Sequence, residues 1–90
     1  MINASYYLIA FDSTHAAMAA DAYFREKNAP AKLIPLPSVI SAGCGFAIKV
    51  KLADAETIES LLTDVIFERA TFYQITKTNG ETGVMPWKIS

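Results

Sequence analysis

Cys44 is the only cysteine in the 90-residue chain, set between Gly43 and Gly45 and three residues after Ser41. Flanking glycines leave a thiol uncrowded and permit backbone conformations closed to other residues. The Ser38 and Ser41 hydroxyls can donate to an anion or a thiolate. About thirty residues upstream, Ser13-Thr14-His15 follows an apolar run and reads as a helix start. Such a start turns unpaired N–H groups and a positive dipole end toward a nearby anion. His15, the sole histidine, adds a group able to pair with a thiolate or take its proton. A lone cysteine is equally an inert apolar filler, and a histidine in a first helical turn is equally a solvated bystander. From the residues alone both readings stand.

The chemistry open to one thiol is narrow. Without a C-x-x-C pair no internal dithiol cycle is available. One Cys and one His fall short of a structural zinc site and serve a catalytic one poorly. A Cys-His protease pair is formally present, but ninety residues offer little substrate cleft. What remains is a thiolate that accepts a sulfane sulfur as a persulfide and hands it on, since no resolving cysteine competes for it. A free cysteine ionises near pH 8.5, and lowering that to about 7 takes roughly 2 kcal/mol of preferential stabilisation. One helix N-terminus with a serine hydroxyl supplies that order of magnitude. No cofactor is called for.

Composition sets the setting. Hydrophobic residues make up 52% and charged residues 19%, with a formal charge of -1, a folding composition without a basic field for nucleic acid or membrane. The basic residues read as scattered, Lys49 and Lys51 on a strand, Arg25 and Lys27 on a helix. A single cysteine, no basic n-region and an apolar run from Tyr6 to Phe11 too short to span a bilayer predict a soluble cytoplasmic protein.

The elements that position Cys44 follow from periodicity. Tyr6–Phe11 is a continuous apolar run, suited to a central strand buried on both faces. An alanine-rich helix capped by Ser13 or Thr14 follows and stops at Asn28 and Pro30. Ala31–Leu36 is a short strand that Pro35 demotes to a sheet edge. Phe46–Leu52 alternates cleanly as a half-buried strand. Asp54 starts a second helix with apolar Ala55, Ile58, Leu61, Leu62 and Val65, and Thr71–Lys77 is the last strand. The order β-α-β-β-α-β predicts one α+β domain, a ferredoxin-like sandwich with a four-stranded antiparallel sheet and two helices on one face. The sandwich spans about residues 5–77, with a tail over 78–90. This topology brings Asp12–His15 to the same end of the sheet as Cys44. It also leaves an apolar sheet face open, which predicts a homodimer, with the tail around Met85-Pro86-Trp87 as the alternative cover.

Pro35-Leu36-Pro37-Ser38-Val39-Ile40-Ser41-Ala42-Gly43-Cys44-Gly45 resembles the P-x-P-x-x-x-S-x-x-C-G segment of a small bacterial selenium/sulfur carrier protein-like family. Phe11-Asp12-Ser13-Thr14-His15 is similar to that family's first turn, and the likeness covers roughly residues 6 to 77. The resemblance implies that Cys44 carries the sulfur or selenium atom, between donor and acceptor proteins, as a carrier rather than a turnover enzyme. Ser41, Gly43, Gly45, Ser13, Thr14 and His15 would shape its anion site. A competing class is a ferredoxin-like sensor or assembly module with an incidental cysteine. Gly45-Phe46-Ala47-Ile48 also echoes an RNA-recognition strand, but Ile48 and Lys51 stand where stacking aromatics belong, so no nucleic-acid partner is expected.

Overall fold

The computed structural model describes residues 4–40 and 45–89. Strand β1 (Ala4–Phe11) leads into helix α1 (Thr14–Glu26), strands β2 (Ala31–Pro35) and β3 (Phe46–Lys51), and a 3-10 turn (Leu52–Asp54). Helices α2 (Ala55–Leu61) and α3 (Asp64–Arg69) follow, then strands β4 (Ala70–Thr78) and β5 (Glu81–Pro86). All neighbouring strands are antiparallel, in the order β2-β3-β1-β4-β5.

The expected sandwich of four strands and two helices is therefore overturned: among the described residues the sheet has five strands, and three α-helices are present. The fifth strand arises at Asn79-Gly80, which both take positive φ (53° and 83°) between the paired Thr78 and Glu81. A two-residue turn of that hand matches the twist of paired strands, so the tail folds back along β4. The third helix arises because Leu62 takes an extended conformation and Thr63 caps a new helix, its Oγ1 accepting from the Ile66 N–H at 3.3 Å. The break turns Ile66 inward and leaves Val65, expected on the buried side, 67% exposed.

Two apolar clusters flank the sheet. On the helix side, Ile9, Phe11, Ile48 and Val50 meet Ala17, Ala20 and Phe24 of α1, Ile58 of α2 and Ile66 of α3. The alanines let α1 lie close to the strands. Asn28 (φ 55°) ends it in the left-handed conformation, with the Ala29 N–H donating to the Phe24 carbonyl at 2.8 Å. The Tyr23 hydroxyl donates to the Leu61 carbonyl at 2.6 Å, which satisfies a carbonyl that the end of α2 leaves unpaired. Beside the split helices, Trp87 fills the layer over β1 and β4, stacked on Tyr7 at 4.3 Å and edge-on to Phe72 at 5.6 Å.

On the other face Tyr6, Leu8, Ala47 and Ile75 are buried beneath Ile40, with Ile34, Leu36 and Tyr73 packed around them. On this face Ile40 covers part of what a second copy was expected to cover, whereas Trp87, expected in the tail as an alternative cover for the open face, packs on the helix side instead.

Burial holds the Tyr6 phenol above its ordinary value of 10. The neutral form is favoured by the fold, so its contribution is complete below about pH 10 and is lost as pH rises through the folded value. Melting temperature measured against pH is expected to fall above pH 10, and Tyr6→Phe to flatten that fall. An unchanged alkaline limb in the variant would refute the assignment.

Candidate functional site

The segment between β2 and β3 is clamped at its base, where the Leu36 N–H donates to the Gly45 carbonyl at 2.8 Å. Pro37–Ile40 forms a tight turn closed by the Ile40 N–H on the Pro37 carbonyl at 3.0 Å. Ser38 and Val39 are its central residues, and Ile40 is the apolar anchor, packing with Leu8, Ala47 and Ile75. The sequence Pro-Leu-Pro-Ser-Val-Ile thus encodes a turn that starts the segment against the sheet face away from the helices. Ser41, Gly43 and Cys44 lie outside the described residues.

Gly45, the residue after Cys44, has φ +78°, and a Cβ there would meet nothing within 4 Å. Its glycine is therefore required by the backbone and not by crowding. Gly45→Ala is expected to cost about 1–2 kcal/mol, the strain of an L-residue in the left-handed region. Urea unfolding of the variant measures this, and an unchanged midpoint would show that the turn relaxes freely.

The other expected site residues come from the start of α1. Ser13 provides the N-cap: its Oγ accepts from the Ala16 N–H at 3.1 Å and its carbonyl from the Ala17 N–H at 3.1 Å. Thr14 and His15 follow in the first turn, both exposed. The β1–β3 register runs to Ala10↔Ala47, one residue short of both strand ends. Phe11, paired with Ala70 on β4, and Phe46, paired with Pro35 on β2, are thus the neighbouring ends of β1 and β3, with Asp12-Ser13 and Gly45 just beyond them. The structure places Ser13, Thr14, His15 and Gly45 at one end of the sheet, with α1 packed on one face and Ile40 on the other.

Two residues that sequence reasoning did not single out as site residues complete this end. Arg69, closing α3, donates through Nη1 to the Asp12 carboxylate at 3.2 Å, and the Asp12 N–H donates to the Arg69 carbonyl at 3.0 Å. Asp12 was legible in the Asp-Ser-Thr-His turn, but Arg69 carried no sequence signal because its partner lies 57 residues away. The ion pair is half exposed on both sides, so it fixes the turn more than it stabilises the fold. A cleft of about 430 Å³ opens beside it between α1 and α3, floored by Phe11, Ala20 and Ile66 and rimmed by Ser13, His15 and Arg69. No cluster of metal-ligating side chains occurs among the described residues, and no helix among them is long and apolar enough to cross a membrane.

Residues 6–74 match the model of a protein family described as "Putative Se/S carrier protein-like". No curated protein and no solved structure matches the chain. The matched stretch takes in the α1 turn, the proline-led segment and Cys44, and stops before β5 and Trp87.

Proposed function

The chain belongs to the Se/S carrier protein-like family, and from that membership we propose that it carries a sulfur or selenium atom on Cys44 between partner proteins. The observation that carries this reading is the family match across the segment holding the chain's sole thiol. In the loading step the Cys44 thiolate attacks the outer chalcogen of a donor persulfide or selenopersulfide. A Cys44–chalcogen bond forms, the donor's bond to that atom breaks, and the donor leaves as a thiolate. The exchange consumes no oxidant and needs no cofactor. Delivery repeats the same exchange with an acceptor thiolate. With no second cysteine in the chain, the adduct cannot collapse into an internal disulfide.

The residues flanking Cys44 favour this use. The clamp at Leu36–Gly45 and the Ile40 anchor hold the ends of the segment, and Gly45 supplies the backbone reversal beside the sulfur-bearing residue. Ser41, Gly43, Gly45, Ser13, Thr14 and His15 are assigned to the shaping of the anion site. The test is the intact mass of the protein after incubation with a small-molecule persulfide. A gain of one sulfur atom, removed by a reductant, supports the carrier. A native thiol that resists alkylation near pH 7 and reacts only on unfolding defeats it, and leaves the binding-module reading with an incidental cysteine.

A further inference from the structure

The strand register collects what the linear sequence disperses. Lys32 stands opposite Lys49 across β2 and β3, Lys51 is two residues along from Lys49, and Lys51 stands opposite Tyr6. Side chains alternate along a strand, so Lys32, Lys49 and Lys51 share the Tyr6 face, the one away from the helices. Tyr6 stands opposite Ile75 on β4, and Lys77 is two residues beyond Ile75, on this same face. Four of the chain's six lysines therefore project from one side of the sheet, all of them exposed. Acidic residues are absent from the strand positions of this face. The nine acidic residues lie on the helices, turns and loops and at the start of β5. The expectation of scattered basic residues is corrected here: the chain is nearly neutral overall but polarised, cationic on the sheet and acidic on the helix layer.

Among the described residues no ion pair engages these lysines. The ion pairs among the described residues are Arg25–Asp21 and Arg69–Asp12. Lys49 lies 4.7 Å over the Tyr6 ring, and Asp54 borders a hollow of about 390 Å³ with Lys32, Lys49 and Lys51 without reaching any of them. Like charges placed directly opposite across strands destabilise a sheet, so the Lys32–Lys49 pair lowers the stability of the fold. The lysines share this face with Ile40, which anchors the segment that carries Cys44 and packs with Leu8, the residue opposite Lys49.

We propose that this lysine face is where an acidic protein surface docks, several carboxylates of the partner meeting Lys32, Lys49, Lys51 and Lys77. The partner's role as donor or acceptor rests on the carrier reading; the docking itself does not. A protein suits the face better than a single-stranded nucleic acid. Lys49 already covers Tyr6, the ring that stands opposite Lys51, so bases find little ring surface on which to stack. The acidic helix layer would also repel a long polyanion.

The test is a titration of isotope-labelled protein followed by amide shifts, with a deca-glutamate peptide and, separately, an oligothymidylate of equal charge. Glutamate-peptide shifts confined to β2, β3 and β4 around the four lysines are expected, weakening as salt rises. The exposed double variant Lys49→Glu/Lys51→Glu is expected to bind at least about tenfold more weakly, and the milder Lys49→Gln/Lys51→Gln several-fold more weakly. Lys32→Glu is expected to lose affinity while melting at a higher temperature, because it replaces a repulsion by an attraction; a merely structural lysine would move both together. Shifts on α1 or α3, equal or tighter binding of the oligothymidylate, unchanged affinity in the variants, or lysine-dependent self-association at low salt each overturn the proposal. Cys44→Ser is expected to bind the peptide normally, so loss of loading and loss of docking are read separately.

Discussion

Cys44→Ser is expected to abolish uptake of sulfur from a persulfide donor completely, with the melting temperature held within about a degree of the parent. Loading requires a sulfur nucleophile that forms a chalcogen–chalcogen bond, and a hydroxyl forms none under conditions where a thiolate does. No other side chain compensates, because Cys44 is the sole cysteine. The fold is spared because the segment is held elsewhere: by the Leu36–Gly45 hydrogen bond, by the Pro37–Ile40 turn and by Ile40 against Leu8 and Ile75. His15→Ala and Ser41→Ala are expected to slow loading by a few-fold without abolishing it, since the proposed function assigns each to the shaping of the anion site and neither to the bond itself. Intact mass at timed intervals measures all three. Residual uptake by Cys44→Ser would place the adduct on another side chain and end the carrier assignment, whereas unaltered rates in both alanine variants would leave Cys44 and remove its surroundings from the mechanism.

What the sequence made legible was local. The apolar run at Tyr6–Phe11 reads as a central strand because nearly every position is buried, and β1 lies between β3 and β4 with Leu8, Ile9, Ala10 and Phe11 shielded. Pro35 marks an edge because it lacks a ladder donor, and β2 is an edge strand. The Asp-Ser-Thr-His turn reads as a helix start, and Ser13 supplies the cap. What was not legible depended on competition between near-equal local choices or on distant partners. Ala55 to Val65 keeps helical spacing through Leu62-Thr63, but Thr63 gains more by capping a new helix than by continuing the old one, and periodicity does not register that exchange. Glu81–Pro86 holds a glycine and a proline, so it scores poorly as a strand. It pairs because Asn79-Gly80 reverses the chain beside an exposed edge of β4. The lysine face is hidden for a related reason: Lys32, Lys49 and Lys77 belong to three different strands, and only their register reveals that they share a side.

Trp87→Ala is expected to cost about 3–5 kcal/mol, the range for removing a large buried aromatic side chain. Trp87 lies in the last strand's exit, beyond the residues that match the family, yet it is only 6% exposed. Its indole stacks on Tyr7 and meets Phe72 edge-on, and Nε1 donates to the Glu59 carboxylate on α2 at 3.2 Å. Its backbone N–H donates to the Phe72 carbonyl at 3.0 Å, which carries the chain past the end of β5 and over the helix-side face. The ring thus joins β1, β4 and α2 where short, broken helices leave the sheet under-covered. Against a total stability of roughly 5–15 kcal/mol for a native protein, losing it removes a large part of the margin. Trp87→Phe separates the contributions: it keeps the stacking and is expected to cost only about 1–2 kcal/mol, for lost contact and the hydrogen bond to Glu59. Urea unfolding of both variants gives the two values. If Trp87→Ala shifts stability by less than about 1 kcal/mol, the value typical of an ordinary substitution, the tail does not complete this core. The alanine variant also uncovers Tyr7 and Phe72, so it is expected to self-associate more than the parent. Loading of Cys44 below the lowered melting point is expected to persist, because the indole packs on the helix face and the Ile40 anchor on the other.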